Sequence, residues 1–177
     1  MYGAKELAEG FRTVRKNTIR IAADIPADKY DFKAAPDVKS VGEMLAHLAV
    51  SPRWQVAIHG DRVSSIDFAF FGTRLAQSAA EERALQTKEQ IIAALEQGGD
   101  QFEAFLSGLT PDVLAEHVTL PAAVQPSRKT RFEMILGVKE HEMHHRGQLM
   151  LIERMLGIVP HLTRQREATR AAAGARA

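Results

Sequence analysis

The sequence predicts an all-α fold, a four-helix bundle with long crossover connections. Three observations carry this. Apolar residues recur at spacings of three and four through most of the 177 residues, the period of an amphipathic helix. Capping-box pairs, in which two side chains satisfy free backbone N–H groups at a helix start, open three segments at Ser40–Glu43, Thr87–Gln90 and Thr130–Glu133. No alternating run is long enough to build a sheet.

Residues 4–24 carry Leu7, Phe11, Val14, Thr18 and Ile21, continued by Ile25, as one stripe, and Pro26 ends the helix. A second helix starts at Ser40 and runs through Met44, Leu45 and Leu48 toward Trp54 and Gly60, kinked or restarted at Pro52. Residues 61–80, with "SIDFAFFGTR", read as a long crossover laying phenylalanines over the bundle. A third helix runs from Thr87 to Leu106, with an irregularity expected at Gly98–Gly99. "TPDVLAEH" is a short helix with Thr110 as cap and Pro111 in first position, and "LPAAVQPSRK" is loop. The fourth helix runs from Thr130 to Leu156, stopped by Gly157 and Pro160; its roughly 26 residues span ~39 Å at ~1.5 Å each. Without internal repeats, residues 1–162 form a single domain, and 163–177, rich in Ala and Arg, form a frayed or disordered tail.

Apolar residues make up 45% and charged residues 25%, with a net charge of +1, ordinary for a globular protein. The basic residues are scattered, so no face for nucleic acid is expected. The absence of cysteine excludes disulfides, thiolate ligands and cysteine nucleophiles, so any metal must sit on nitrogen and oxygen. "MYGAKELAEGFRTVRKN" lacks the apolar core of a secretory leader. No apolar run approaches the ~20 residues that cross a bilayer. A cytoplasmic protein without membrane contact is expected.

Three of the seven histidines fall within "KEHEMHHRGQL" at 139–149. His141 and His145, four residues apart, project from one helix face about one turn apart and can converge on one ion at ~2.0–2.1 Å. His144 is rotated roughly 100° from His145 and faces a neighbouring helix or solvent. The row Met134, Val138, His141, His145, Gln148, Ile152 is apolar at its ends, which points the pair at the core. Unpartnered imidazoles there cost on the order of 1–3 kcal/mol each, and a cation relieves that. A third ligand must come from another helix. His59, beside Gly60 at a helix end, is explained by the dipole. His117 and His161 lie near loops and read as surface groups. His47, mid-helix in "EMLAHLAVS", is the best candidate.

Together, "SVGEMLAHLA" and "HEMHHRGQLMLIERMLGIVP" resemble the DinB/YfiT superfamily of four-helix-bundle metalloenzymes, in helix order and crossover layout over nearly the whole chain. The most specific part is H-x-x-x-H-R-G-Q-L at 141–149. The resemblance implies a divalent metal, nickel or zinc, on His47, His141 and His145, and a homodimer. Some members are transferases or isomerases that use small cellular thiols. The same stretch also matches HExxH, with Glu142 as the base of a zinc protease. However, the positions where metzincins carry Gly and a further His hold Gln148 and Leu151.

The reaction expected is Lewis-acid activation of water or a low-molecular-weight thiol against a small electrophile, as in a hydrolase or thiol S-transferase. Glu142 and Gln148 are possible helpers around the ligands. Arg146 can neutralise an anionic substrate or form a surface ion pair. Trp54 lines a pocket mouth or packs in the core, with Ser51 between it and His47. The alternatives are a non-catalytic metal-binding or stress-linked helical module and a metal-free interaction domain.

Overall fold

In the computed structural model, which describes residues 2–174, the first stripe is buried along α1 (Ala4–Asp24). Ile25 closes that helix, fully buried, ahead of a 3-10 turn at Ala27–Lys29. Helix α2 (Val41–Val50) opens on the closed Ser40–Glu43 box. Pro52 breaks it and begins α3 (Pro52–Gly60), because proline cannot donate within a continuing helix.

Residues 61–80 correct the sequence reading. They lead into a regular helix, α4 (Phe68–Ala84), capped by Asp67, whose carboxylate accepts from the Phe70 N–H at 2.7 Å. Phe68 stays largely exposed, whereas Phe70 packs on a small cluster of Ile58, Ile66 and Val118 and Phe71 meets Trp54 edge-on, so the phenylalanines do lie over the bundle, but from a helix. No α4 residue is fully buried, so no apolar stripe announced the helix, and good formers such as Ala, Gln, Glu and Arg sustain it.

Helix α5 (Lys88–Ser107) runs unbroken through Gly98 and Gly99, where an irregularity was expected. The glycines are there for approach: a Cβ on Gly99 would lie 2.8 Å from Arg15 Cγ, and one on Gly98 3.0 Å from the Ala49 carbonyl. Helix α6 (Pro111–Ala115) is the short helix. The segment read as loop instead ends in a strand: β1 (His117–Thr119) pairs antiparallel with β2 (Arg128–Thr130). Ser65 bridges to Thr119 on the other side, so this ribbon pins the start of the α4 crossover.

Helix α7 (Arg131–Met155) ends at Gly157, whose φ of +78° suits glycine. Helix α8 (His161–Gly174) follows within the segment set apart as a tail. Residues 165–174 of it are exposed, and 175–177 lie outside the described residues. Its first turn is anchored. His161 is buried, not a surface group, and its Nε2 meets Asn17 Oδ1 at 3.1 Å, while Arg164 pairs with Asp24.

One core cluster joins the end of α1, α2, the start of α5 and the end of α7; a second joins the start of α1, the end of α5 and the start of α7. Helix α1 thus runs antiparallel to α5 and parallel to α7. Helix α2 packs on α5 and α7 from the opposite diagonal. Parallel neighbours cannot be joined by short turns, so crossovers are obligatory. Among the described residues no helix is long and apolar enough to cross a membrane.

At the α1–α7–α8 junction, Glu153 is 0% exposed and neither carboxylate oxygen has a hydrogen-bond partner among the described residues. Burial, then the Asp24 charge, raises its pKa from 4.5 to about 7. Below pH ~4.5 folded and unfolded chains both hold this proton. Between ~4.5 and ~7 only the folded chain does, so stability falls as pH rises, and above ~7 the loss is complete. The loss amounts to about 3 kcal/mol. Urea titrations of wild type and Glu153→Gln between pH 5 and 8 should therefore diverge, the variant lacking that decline; parallel curves would refute the buried protonated acid.

Candidate metal centre

Helices α2 and α7 each place one face of histidine at the same level of the bundle. His47 Nε2 lies 3.0 Å from His141 Nε2, which lies 3.2 Å from His145 Nε2. The three ligand atoms fall within 4.8 Å of one another. The rings meet edge to face.

The outer nitrogens fix the tautomers. His47 Nδ1 is 2.7 Å from Glu82 Oε1, and His145 Nδ1 is 2.7 Å from Gln148 Oε1. A carboxylate and an amide oxygen only accept, so both Nδ1 atoms carry hydrogen. With Nδ1 as the donor, each ring turns its Nε2 toward His141, whose own Nε2 can donate to at most one of them. Burial, reinforced by His145 and His47, pushes His141 down to about 4. Burial also lowers His145, against an opposing Gln148 hydrogen bond. These two imidazoles are neutral at pH 7, the form a metal requires. Two nitrogens at ~2.0–2.1 Å from a tetrahedral ion stand roughly 3.3 Å apart, close to the spacings found. The donor set fits one divalent ion.

Glu82, which the sequence reading passed over, stands behind His47 where, in histidine metal sites, a carboxylate tunes the basicity and orientation of the ligand. Its other oxygen takes Lys39 Nζ at 3.2 Å. It comes from α4, and the one available signal was the habit of helix-borne histidine ligands to lean on a carboxylate. Glu82→Gln should weaken zinc binding about 10–100-fold, read by competition with a chelating dye. Unchanged affinity would make Glu82 a bystander.

The other sequence candidates separate cleanly. Gln148 orients His145. Glu142, expected as a helper, is buried on another side of α7, where Arg15 binds both its oxygens at 2.8–3.1 Å. The base an HExxH protease needs is therefore turned away from the histidines. His144 is exposed and outside the cluster. His59 is structural: its Nε2–H donates to Gln55, its Nδ1 accepts from Arg131, and burial with that charge pushes it to about 4. His117 is exposed on β1. Arg146 does not border the cavity beside the histidines, whereas Ser51 and Trp54 do. Trp54 also packs edge-on against Phe71, so it is both wall and packing. That cavity, about 350 Å³, touches His47, His141 and Glu82.

The family model of the DinB superfamily matches residues 11–149. The chain belongs to the DinB superfamily. Its fold is that of two Bacillus subtilis proteins. The DinB-like protein YjoA aligns at 20% identity over 86% of this chain and 92% of its own, with a TM-score of 0.63. YfiT, described as a probable metal-dependent hydrolase with an unusual four-helix bundle topology, aligns at 14% identity over 88% of both chains, with a TM-score of 0.68. No curated protein sequence matches the chain. For a DinB fold of this kind, the crossovers described above are what bring the His47 helix and the His141–His145 helix face to face.

Proposed function

We propose that this DinB protein is a metal-dependent enzyme of hydrolase or thiol S-transferase type, with one zinc or nickel ion held by His47, His141 and His145. The observation that carries this reading is the donor set: three convergent imidazole nitrogens, no fourth protein ligand grouped with them among the described residues, and a cavity on one side. A structural site closes its coordination with protein, whereas a catalytic one leaves a position open. The description of YfiT as a probable metal-dependent hydrolase agrees with it.

When bound, such an ion supplies the Lewis acidity that makes water or a small thiol nucleophilic near neutral pH. The chain's residues do the rest. Glu82 keeps the His47 Nδ1 proton in place and Gln148 that of His145, so both Nε2 atoms stay available. Trp54, Leu75 and Val138 wall the cavity and limit water beside the reacting group. The Ser51 and Ser78 hydroxyls, also on the wall, can hold a substrate oxygen. The same reading includes a cytoplasmic homodimer; Met143, Leu151 and Met155, exposed along α7, support the self-association.

The test is metal analysis of protein purified without an affinity tag, followed by assays with activated esters and with thiols plus electrophiles. One ion per chain with turnover supports the enzyme. An ion without turnover or thiol binding favours a non-catalytic module, and protein that takes up no divalent ion refutes the site.

A further inference from the structure

The cavity beside the histidines has a second pole. It follows α7 from His141 back past Val138, Gly137 and Met134 to Glu133, with Lys129 of β2 at the same end. Eight residues of helix separate the ends, ~12 Å at ~1.5 Å each. Between them the walls are apolar, from Trp54, Leu75, Leu120 and Met134. The passage is open at Gly137, where even a Cβ would meet nothing within 4 Å.

The two charged groups at the far end are not equivalent. Glu133 is spent on the α7 cap: its Oε2 accepts from the Thr130 N–H and hydroxyl, both at 2.7 Å. Those bonds, with smaller contributions from the nearby Lys129 and His117, hold it below the usual carboxylate range, so Glu133 is a charged neighbour of Lys129 without being bonded to it. Lys129 is half-buried, and its ammonium makes no hydrogen bond or ion pair with any described residue. Lys39, Lys88 and Lys139 have partners. Lys16, exposed on α1 and away from this cavity, has none among the described residues either, so it is the half-buried position on the cavity wall that sets Lys129 apart. An unpaired ammonium beside low-dielectric walls concentrates field on the cavity and offers a charge-assisted hydrogen bond to an anion.

We infer that the substrate has an apolar body and carries a carboxylate or similar anion at the end remote from the reacting atom, and that Lys129 receives that anion. This rests on the histidine centre being the reacting end, and it adds the substrate class.

Trp54 is the only tryptophan of the chain and lines the cavity, so its fluorescence reports occupancy. Metal-free protein at pH 8 is titrated with octanoate, 1-octanol and octylammonium. Octanoate should bind about tenfold tighter than octanol and octylammonium weakest. Lys129→Gln should bring octanoate level with octanol, and Lys129→Glu should reverse the order of the two ions, with far-UV circular dichroism unchanged in both. Equal affinities in wild type, a preference for octylammonium, or no binding of any of the three overturns the proposal. Because no metal is present, this failure is distinct from failure of the metal reading, which is judged by metal content alone.

Discussion

His145→Ala is expected to abolish stoichiometric zinc or nickel binding while leaving the metal-free protein as stable as wild type, or more so. Two imidazole nitrogens cannot hold the ion as three do. At a free metal concentration 100 times the wild-type dissociation constant, the variant forfeits ~2.7 kcal/mol of stabilisation. The metal-free comparison has the opposite sign for a physical reason. With its Nδ1–H given to Gln148, His145 presents an Nε2 lone pair 3.2 Å from His141 Nε2, and removing it relieves that opposition. His47→Ala and His141→Ala should likewise bind no metal. His47→Ala also leaves Glu82 without its imidazole partner, so His145 is the cleaner probe of the sign. Elemental analysis gives the stoichiometry, and thermal melts with and without chelator give the sign. A His145→Ala that destabilises equally in both conditions would mean that the cluster is structural.

Where a helix buries one side, the sequence displayed it. The α1 stripe is buried residue by residue, and the Ser40–Glu43, Thr87–Gln90 and Thr130–Glu133 boxes all close. Helix α4 has no fully buried residue, so periodicity had nothing to report, and Glu82 went unseen with it. Histidine spacing on α7 was enough to pair 141 with 145, and an apolar setting singled out 47. The role suggested for Glu142 failed because chain neighbours on a helix point roughly 100° apart. Only the packing of α1 against α7 decides which of them faces the cavity. Gly98 and Gly99 misled for a related reason: a glycine pair costs helix propensity locally, and the close approach of Arg15 that requires it is a tertiary fact.

Arg15→Met should be among the most destabilising single changes in the protein, by about 3–5 kcal/mol, because it strands a buried carboxylate. Arg15 and Glu142 are 3% and 1% exposed. The guanidinium binds both Glu142 oxygens, the Leu95 carbonyl at 3.0 Å and the Leu48 carbonyl at 2.9 Å. One side chain from α1 therefore ties α5, α2 and α7 together at a single level. Leu48 follows His47 and Glu142 follows His141 in the chain, so the tie sits directly behind the two turns that carry the histidines. Double replacement, Arg15→Met with Glu142→Leu, removes both charges and should recover most of the lost stability, since well-packed apolar pairs commonly match or exceed buried ion pairs. It should not recover metal affinity if the pair's contribution is to hold those two turns in register. Urea unfolding of both single variants and the double gives the coupling energy, and zinc titration of the double tests the register. A double variant that regains stability and binds zinc as tightly as wild type would show that the buried pair serves the fold alone.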